Sequence, residues 1–171
     1  MLRLAGPGWM PTTAYYKCRY EILRRPLGFE SGAEILEDDV DAIHAYVEID
    51  HEVVAVGRSH LIPEDSDGAQ SDFPGQPGPK TPPFSHLDEN HRPAIQIRQM
   101  GTLETHRRQG YACKILNALE EASKAEFGAV CGFLQARERA IPFYHSQGWV
   151  LIDEPYSIPN VGPHRSMMKR F

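Results

Sequence analysis

Residues 100–121 read MGTLETHRRQGYACKILNALEE. The run has the form of a strand end, a short basic turn and an amphipathic helix. Its turn, Arg107-Arg108-Gln109-Gly110-Tyr111-Ala112, fits the pattern R/Q-x-x-G-x-G/A. The first N–H groups of a helix have no acceptor inside it, and the helix dipole lies behind them, so such a turn can hold a phosphate. Gly110 lets the backbone approach the ligand closely, and small Ala112 keeps the first helical turn tight against it. Taken alone, the hexapeptide suits a solvated loop before a surface helix equally well. Its surroundings separate the two readings.

Upstream, Ala94–Leu103 (AIQIRQMGTL) reads as a strand running straight into the turn. Downstream, Gly110–Phe127 carries Ile115, Leu119 and Ala122 on one helical stripe, widened by Leu116, with Lys114, Asn117, Glu121 and Lys124 outside. Gly128 ends that helix, and the apolar Ala129–Gln135 (AVCGFLQ) suits a buried strand parallel to the earlier one. Strand, helix and strand make a βαβ unit. Arg137–Gln147 holds a further short helix, starting near Ala140 or Ile141 because Pro142 belongs in its first turn. After Gly148, Trp149–Ile152 and Ser166–Phe171 can pair as a last hairpin joined by a loop from Pro155 to Pro163.

Toward the N-terminus, Thr12 and Thr13 are candidate caps for a helix through about Arg25. Tyr15, Cys18 and Ile22, with the stem of Arg19, would form its inner face, and Pro26 and Gly28 end it. Its Arg and Tyr content suits an acceptor-binding helix or a snorkelling surface helix. Glu34–Asp41 is an acidic connector. Ala45, Val47 and Ile49 alternate along a strand from His44 to Asp50, and Asp50-His51 turns into a second strand, Glu52–Ile62. Gly57 interrupts that strand and marks a bulge or a close backbone approach. From Pro63 to Pro93 the composition changes, with half of the chain's 14 prolines in this stretch. Such a composition does not build a core, so 63–93 reads as a mobile insertion, or a lid, within a single domain spanning 1–171.

A chain of 171 residues can close one full hydrophobic core. Its net charge of −5 argues against a general nucleic-acid binder, so any basic site must be local, as His106-Arg107-Arg108 is. Cys18, Cys113 and Cys131 show neither a C-x-x-C pair nor a zinc spacing with His, which points to reduced thiols, a cytoplasmic protein and no bound metal. No run is long and apolar enough for a membrane span, and MLRLAGPGWMP does not read as a secretory leader. Neither G-x-x-x-x-G-K-[ST] nor G-x-G-x-x-G occurs, which weakens a nucleotide-binding reading.

Two stretches, IRQMGTLETHRRQGYA and LQARERAIPFYHSQGW, occur at the separation seen in one superfamily. From about Tyr15 to Phe171, without the Pro-rich stretch, the chain resembles the GNAT superfamily of acyl-CoA-dependent N-acetyltransferases. Arg107, Gly110 and Ala112 match the family's pyrophosphate loop. Phe143, Tyr144, Gly148 and Trp149 match its F-Y-x-x-x-G-[FYW] helix. R-x-x-x-L-R-x-P-L-G at Arg19–Gly28, VGRSHL at Val56–Leu61 and VGPHRSMMK at Val161–Lys169 resemble an uncharacterised bacterial-type subgroup.

The resemblance implies an α/β fold of the α+β kind. Its central sheet would be mixed and mostly antiparallel, with a parallel βαβ unit, splayed central strands and flanking helices. It also implies acetyl-CoA as co-substrate, held in the splay between Ile95–Leu103 and Val130–Gln135. Met100, Gly101 and Thr102 would hold the pantetheine arm. Arg107, Arg108, Gln109, Gly110, Tyr111 and Ala112 would hold the pyrophosphate. Arg98 and Arg137 would bind a carboxylate of the acceptor, or CoA, or be paired structurally. Tyr144 is the implied general acid, its alternative being a core tyrosine. His164, Glu104 or a water chain would serve as base; His145, next to Tyr144, projects elsewhere. The reaction implied is direct acetyl transfer, in a ternary complex, to an amine of a small molecule or peptide. The alternative is a non-catalytic acyl-CoA-binding module, and a homodimer is compatible with either. Three features depart from the family pattern. Thr102 stands where an apolar residue is usual, and Arg108 where Gly is frequent. The central strand carries Gln96, Arg98 and Gln99 where many members have a carboxylate.

Overall fold

The hydroxyl oxygen of Thr12 accepts from the Tyr15 N–H at 3.3 Å and starts helix α1, Thr13–Leu23. This is the first helix of a computed structural model that describes residues 1–70 and 81–171. The middle of the Pro/Gly-rich stretch, 71–80, lies outside the described residues. Contacts group the chain into two units, Met1–His60 with Ile97–Ser123 and Leu61–Gln96 with Lys124–Phe171.

In the first unit, strand β1 (Leu2–Ala5) pairs antiparallel with β2 (Ile43–Ile49), and β2 with β3 (Glu52–Leu61). The end of β4 (Ala94–Thr102) follows β3, with the Leu103 N–H donating to the Val54 carbonyl at 2.8 Å. One side of this sheet carries α1, whose Tyr15 and Cys18 pack with Val53 and Val56. The other carries α2 (Tyr111–Phe127), which buries Ile115, Leu116 and Leu119. Gly57 answers the question its sequence position raised. A Cβ there would lie 2.4 Å from Met100 Sδ and 2.7 Å from Ile115 Cγ2, so the glycine permits close approach. The register shift of this hairpin lies opposite Val47 and Glu48, which face Ala55 and Val53, so the extra residue is Val54 of β3 and not Gly57.

In the second unit, the Val130 N–H donates to the Pro93 carbonyl at 2.9 Å, which starts β5 (Cys131–Arg137) beside the start of β4. Helix α3 (Ile141–Ser146), with its proline in the first turn, leads to β6 (Val150–Ile158) and β7 (Gly162–Arg170). β7 pairs antiparallel with both β5 and β6. The seven strands are ordered β1-β2-β3-β4-β5-β7-β6. The expected mixed sheet, mostly antiparallel with one parallel pair and flanking helices, is therefore present.

Several local expectations change. β1 was not legible in the sequence. The expected last loop, Pro155–Pro163, is mostly strand, because a register shift between Ile152 and Tyr156, with Asp153 at φ 58°, accommodates Pro155. The acidic connector ends in a 3-10 turn, Glu37–Asp41. The Pro-rich stretch does contribute to a core: Phe84 is buried against Phe133 with ring centroids 5.0 Å apart, in a cluster with Ile62, Ala94, Ile152 and Met168. Thr81 and Gln70 close its described ends through backbone N–H to carbonyl bonding at 2.9 Å. Among the described residues no helix is long and apolar enough to cross a membrane.

Candidate active site

The basic turn is built as its composition demands. Arg107 is extended, Arg108 sits at φ 63° and Gly110 at φ 78°. The first helical bond of α2 runs from the Lys114 N–H to the Gly110 carbonyl at 3.1 Å, so the amides of Tyr111 and Ala112 have no acceptor within the helix. Arg107, Arg108, Gln109 and Gly110 are exposed, and Arg107 reaches Glu104 only loosely, at 3.7 Å. Cations and amides at the start of a helix thus share one solvent-facing turn. The left-handed Arg108 explains why glycine would be favoured at this position.

Just before the turn, Thr102 Oγ1 and Gln99 Oε1 are buried without hydrogen-bond partners among the described residues. Gln99 lies at φ 54°, inside β4. Arg98 acts electrostatically on His60, on the α1 side of β3, whereas Met100 points its sulfur at the Gly57 position, on the α2 side. Strict alternation would put residues 98 and 100 on one face. The left-handed residue between them resets it, and Gly101 then meets Ile22 of α1, 2.5 Å from where its Cβ would be.

The second unit carries the other predicted residues. Tyr144 of α3 is 8% exposed and packs against Trp149 at 6.3 Å between ring centroids. Burial pushes its hydroxyl well above the ordinary tyrosine range, so it stays protonated at neutral pH. Trp149 covers Gly132, where a Cβ would meet its ring at 2.8 Å. His164 of β7 is opposite Arg137 of β5, on the face that alternates away from Gly132. Its Nδ1 donates to the Gly162 carbonyl at 2.8 Å, which leaves Nε2 as the basic nitrogen of the neutral ring. Its ring stacks on Tyr156 at 6.0 Å. Tyr144 and His164 therefore serve opposite faces of β5. Glu104 and His145 are exposed.

A group the sequence did not reveal lies beneath α1. Asp39 receives both Nη atoms of Arg19 and, at 2.7 Å, Nη1 of Arg58. Arg58 also bonds Asp38 and His60. Burial pushes Asp38 up, but the Arg58 hydrogen bond and charge outweigh it and hold the carboxyl at about 2. Burial, with Arg58 and Arg98 nearby, pushes His60 down to about 3. His44 donates from Nε2 to the Asp39 carbonyl at 2.7 Å, and its Nδ1 lies 3.0 Å from the Tyr15 hydroxyl, which also reaches the Gly57 carbonyl at 3.2 Å. These groups suit structural pairing better than proton transfer near neutrality. Charged side chains inside the otherwise buried strand VVAVGRSH were the available signal. Nearby, a cavity of about 280 Å³ between α1 and the β2–β3 turn has Cys18 in its wall. Burial holds that thiol at about 12, which removes it as a nucleophile.

Residues 11–149 match the model of the Acetyltransferase (GNAT) family. The chain is 34% identical over 74 residues to the uncharacterized N-acetyltransferase YjcF of Bacillus subtilis, covering 43% of this chain and 52% of that protein. It thus spans about half the length of the curated relatives it matches. A putative N-acetyltransferase from Lactobacillus plantarum superposes with a TM-score of 0.66 at 18% identity, covering 99% of this chain and 97% of that one. An aminoglycoside 6'-N-acetyltransferase complexed with coenzyme A gives 0.65 at 11% identity, covering 98% and 96%. At these identities the two structures speak for the fold.

Proposed function

The chain belongs to the GNAT family of acetyltransferases, and on that footing we propose that it transfers an acetyl group from acetyl-CoA to an amine. The observation that carries this reading is the exposed turn Arg107–Ala112, with amides lacking helical acceptors and two arginines beside them. It suits the CoA pyrophosphate. The pantetheine arm would run along Met100, Gly101 and Thr102, where the Thr102 hydroxyl offers an unused bond to one of its amides. Coenzyme A is the ligand of one structural neighbour, the aminoglycoside 6'-N-acetyltransferase.

An alkyl ammonium has a pKa near 10.4 and must lose a proton before it can attack the thioester carbon. His164 Nε2 is the proposed base. As the amine nitrogen bonds to the carbonyl carbon, charge moves to the oxygen, which backbone N–H groups of β4 would stabilise. Collapse expels CoA thiolate, and Tyr144, protonated at neutral pH, would return a proton to sulfur. Arg137 would hold an anionic group of CoA or of the acceptor. The free thiols of Cys18, Cys113 and Cys131 fit the same proposal's cytoplasmic setting.

The absence of a carboxylate from β4, which carries Gln96, Arg98 and Gln99, favours a second reading as a non-catalytic CoA-binding module. Calorimetry with acetyl-CoA and a thiol-release assay over an amine panel separate the two. Binding with thiol release supports the enzyme, and binding without release on a broad panel supports the module. Absence of acetyl-CoA binding would sink both.

A further inference from the structure

One face of β5, β7 and β6 changes chemistry in bands. Phe133, Met168 and Val150 share one register level, Gln135, Ser166 and Ile152 the next, and Arg137, His164 and Tyr156 a third. Paired residues of antiparallel strands present their side chains on the same face. Phe133 and Met168 of the apolar band are core, and the third holds the proposed base.

The middle band has unused hydrogen-bonding capacity. Gln96 of β4 donates from Nε2 to Gln135 Oε1 at 2.8 Å, which draws Gln96 into the same row. With that bond made, Gln96 Oε1, Gln135 Nε2 and Ser166 Oγ remain buried without partners among the described residues. Gln96 and Ser166 are both 0% exposed. Exchanging the oxygen and nitrogen ends of both amides leaves the same inventory: one N–H, one carbonyl oxygen and one hydroxyl. Unpaired polar atoms concentrated in one row destabilise the fold unless something completes them.

We propose that the Gln96–Gln135–Ser166 row recognises a neutral amide of the acetyl acceptor, a carboxamide or a peptide bond. This rests on the reading of the chain as an amine acetyltransferase. An amide supplies an N–H to the free carbonyl oxygen and a carbonyl oxygen to the free N–H, with the hydroxyl adapting to either. A carboxylate would set a second anionic oxygen against a fixed carbonyl oxygen. A hydrocarbon would leave every member of the row unpaired. Sites built on such groups discriminate strongly against analogues that cannot bond to them.

The test compares β-alaninamide, β-alanine and n-butylamine, both as ligands in calorimetry and as acceptors in thiol release. The amide should bind the wild-type protein at least about tenfold more tightly than either analogue. Ser166→Ala and Gln135→Leu should each erase that preference while acetyl-CoA affinity stays unchanged. Ser166→Ala removes only one oxygen, so it covers the case in which Gln135→Leu fails to fold. Equal binding of the three probes, or a preference surviving in a folded variant, overturns the proposal and leaves the row to ordered water. The calorimetry also runs on the CoA-free protein. Amide binding with no acetyl-CoA binding would therefore refute the acetyltransferase reading separately.

Discussion

Arg19 and Asp39 form a two-pronged ion pair almost wholly out of water, with Nη1 2.8 Å from Oδ2 and Nη2 3.1 Å from Oδ1. The same carboxylate also pairs with Arg58 Nη1 at 2.7 Å. Removing its charge would strand the buried Arg19 guanidinium and leave Arg58 paired with Asp38 alone among the described carboxylates, and breaking such a pair from one side typically costs about 3–5 kcal/mol. Asp39→Asn should therefore lose about 3 kcal/mol or more in urea unfolding. A loss below about 1 kcal/mol would show that water reaches the cluster.

Acid should destabilise this region before its carboxylates titrate. Burial holds His44 at about 4 and His60 at about 3, below their unfolded values near 6.5. Both contribute fully above pH 6.5 or so, and their contribution falls as pH drops through the folded values, because the unfolded chain takes up protons first. For His44 the loss is on the order of 3 kcal/mol. Melting temperature against pH should bend downward below about 6.5, and a folded His44→Gln protein should bend less. Superimposable curves would contradict the neutral, buried assignment.

Arg108 holds a left-handed backbone angle that disfavours side chains. Arg108→Gly should raise stability by about 1 kcal/mol. It should also weaken acetyl-CoA binding several-fold at low salt, roughly the effect of one screened charge near a phosphate. Calorimetry at two ionic strengths, paired with thermal unfolding, checks both halves. A less stable variant would mean that the guanidinium has a structural partner.

Tyr144→Phe keeps the ring against Trp149 and removes one oxygen. If Tyr144 returns the proton to sulfur, kcat should fall by about a hundredfold while acetyl-CoA affinity holds. Unchanged turnover would leave Tyr144 as a core residue.

Gly57→Ala inserts a methyl against Met100 Sδ and Ile115 Cγ2. Overpacking of this kind costs about 1–3 kcal/mol. The KM for acetyl-CoA should rise, because Met100 belongs to the proposed pantetheine strand. A neutral result on both measures would show that the Met100 side chain swings clear.

How legible these features were in the sequence depended on how local their causes are. The turn before α2, the cap at Thr12 and the stop at Gly128 depend on neighbours in the chain, and they could be read directly. β1 could not, because four residues before Gly6-Pro7-Gly8 show their strand character only when β2 supplies the other half of each hydrogen bond. Pro155 hid the length of β6, since a strand tolerates it only beside an irregularity that no local pattern announces. Asp39 looked like part of a solvated acidic connector; its partners come from α1 and β3, far away in sequence. The donor turn was thus visible early. The row joining Gln96, Gln135 and Ser166 exists only once three strands are in register.

The left-handed residue Gln99 makes β4 a strand with two incompatible rulers. Counting by twos from Ala94 assigns the correct face as far as Arg98, and the same count assigns the wrong face from Met100 onward. Deleting Gln99 would restore uniform counting with the Met100 sulfur still facing Gly57, so a relative without the extra residue runs one position short here. Relatives compared with this chain by position alone would then be matched front to back across this strand, unless a gap is placed at Gln99.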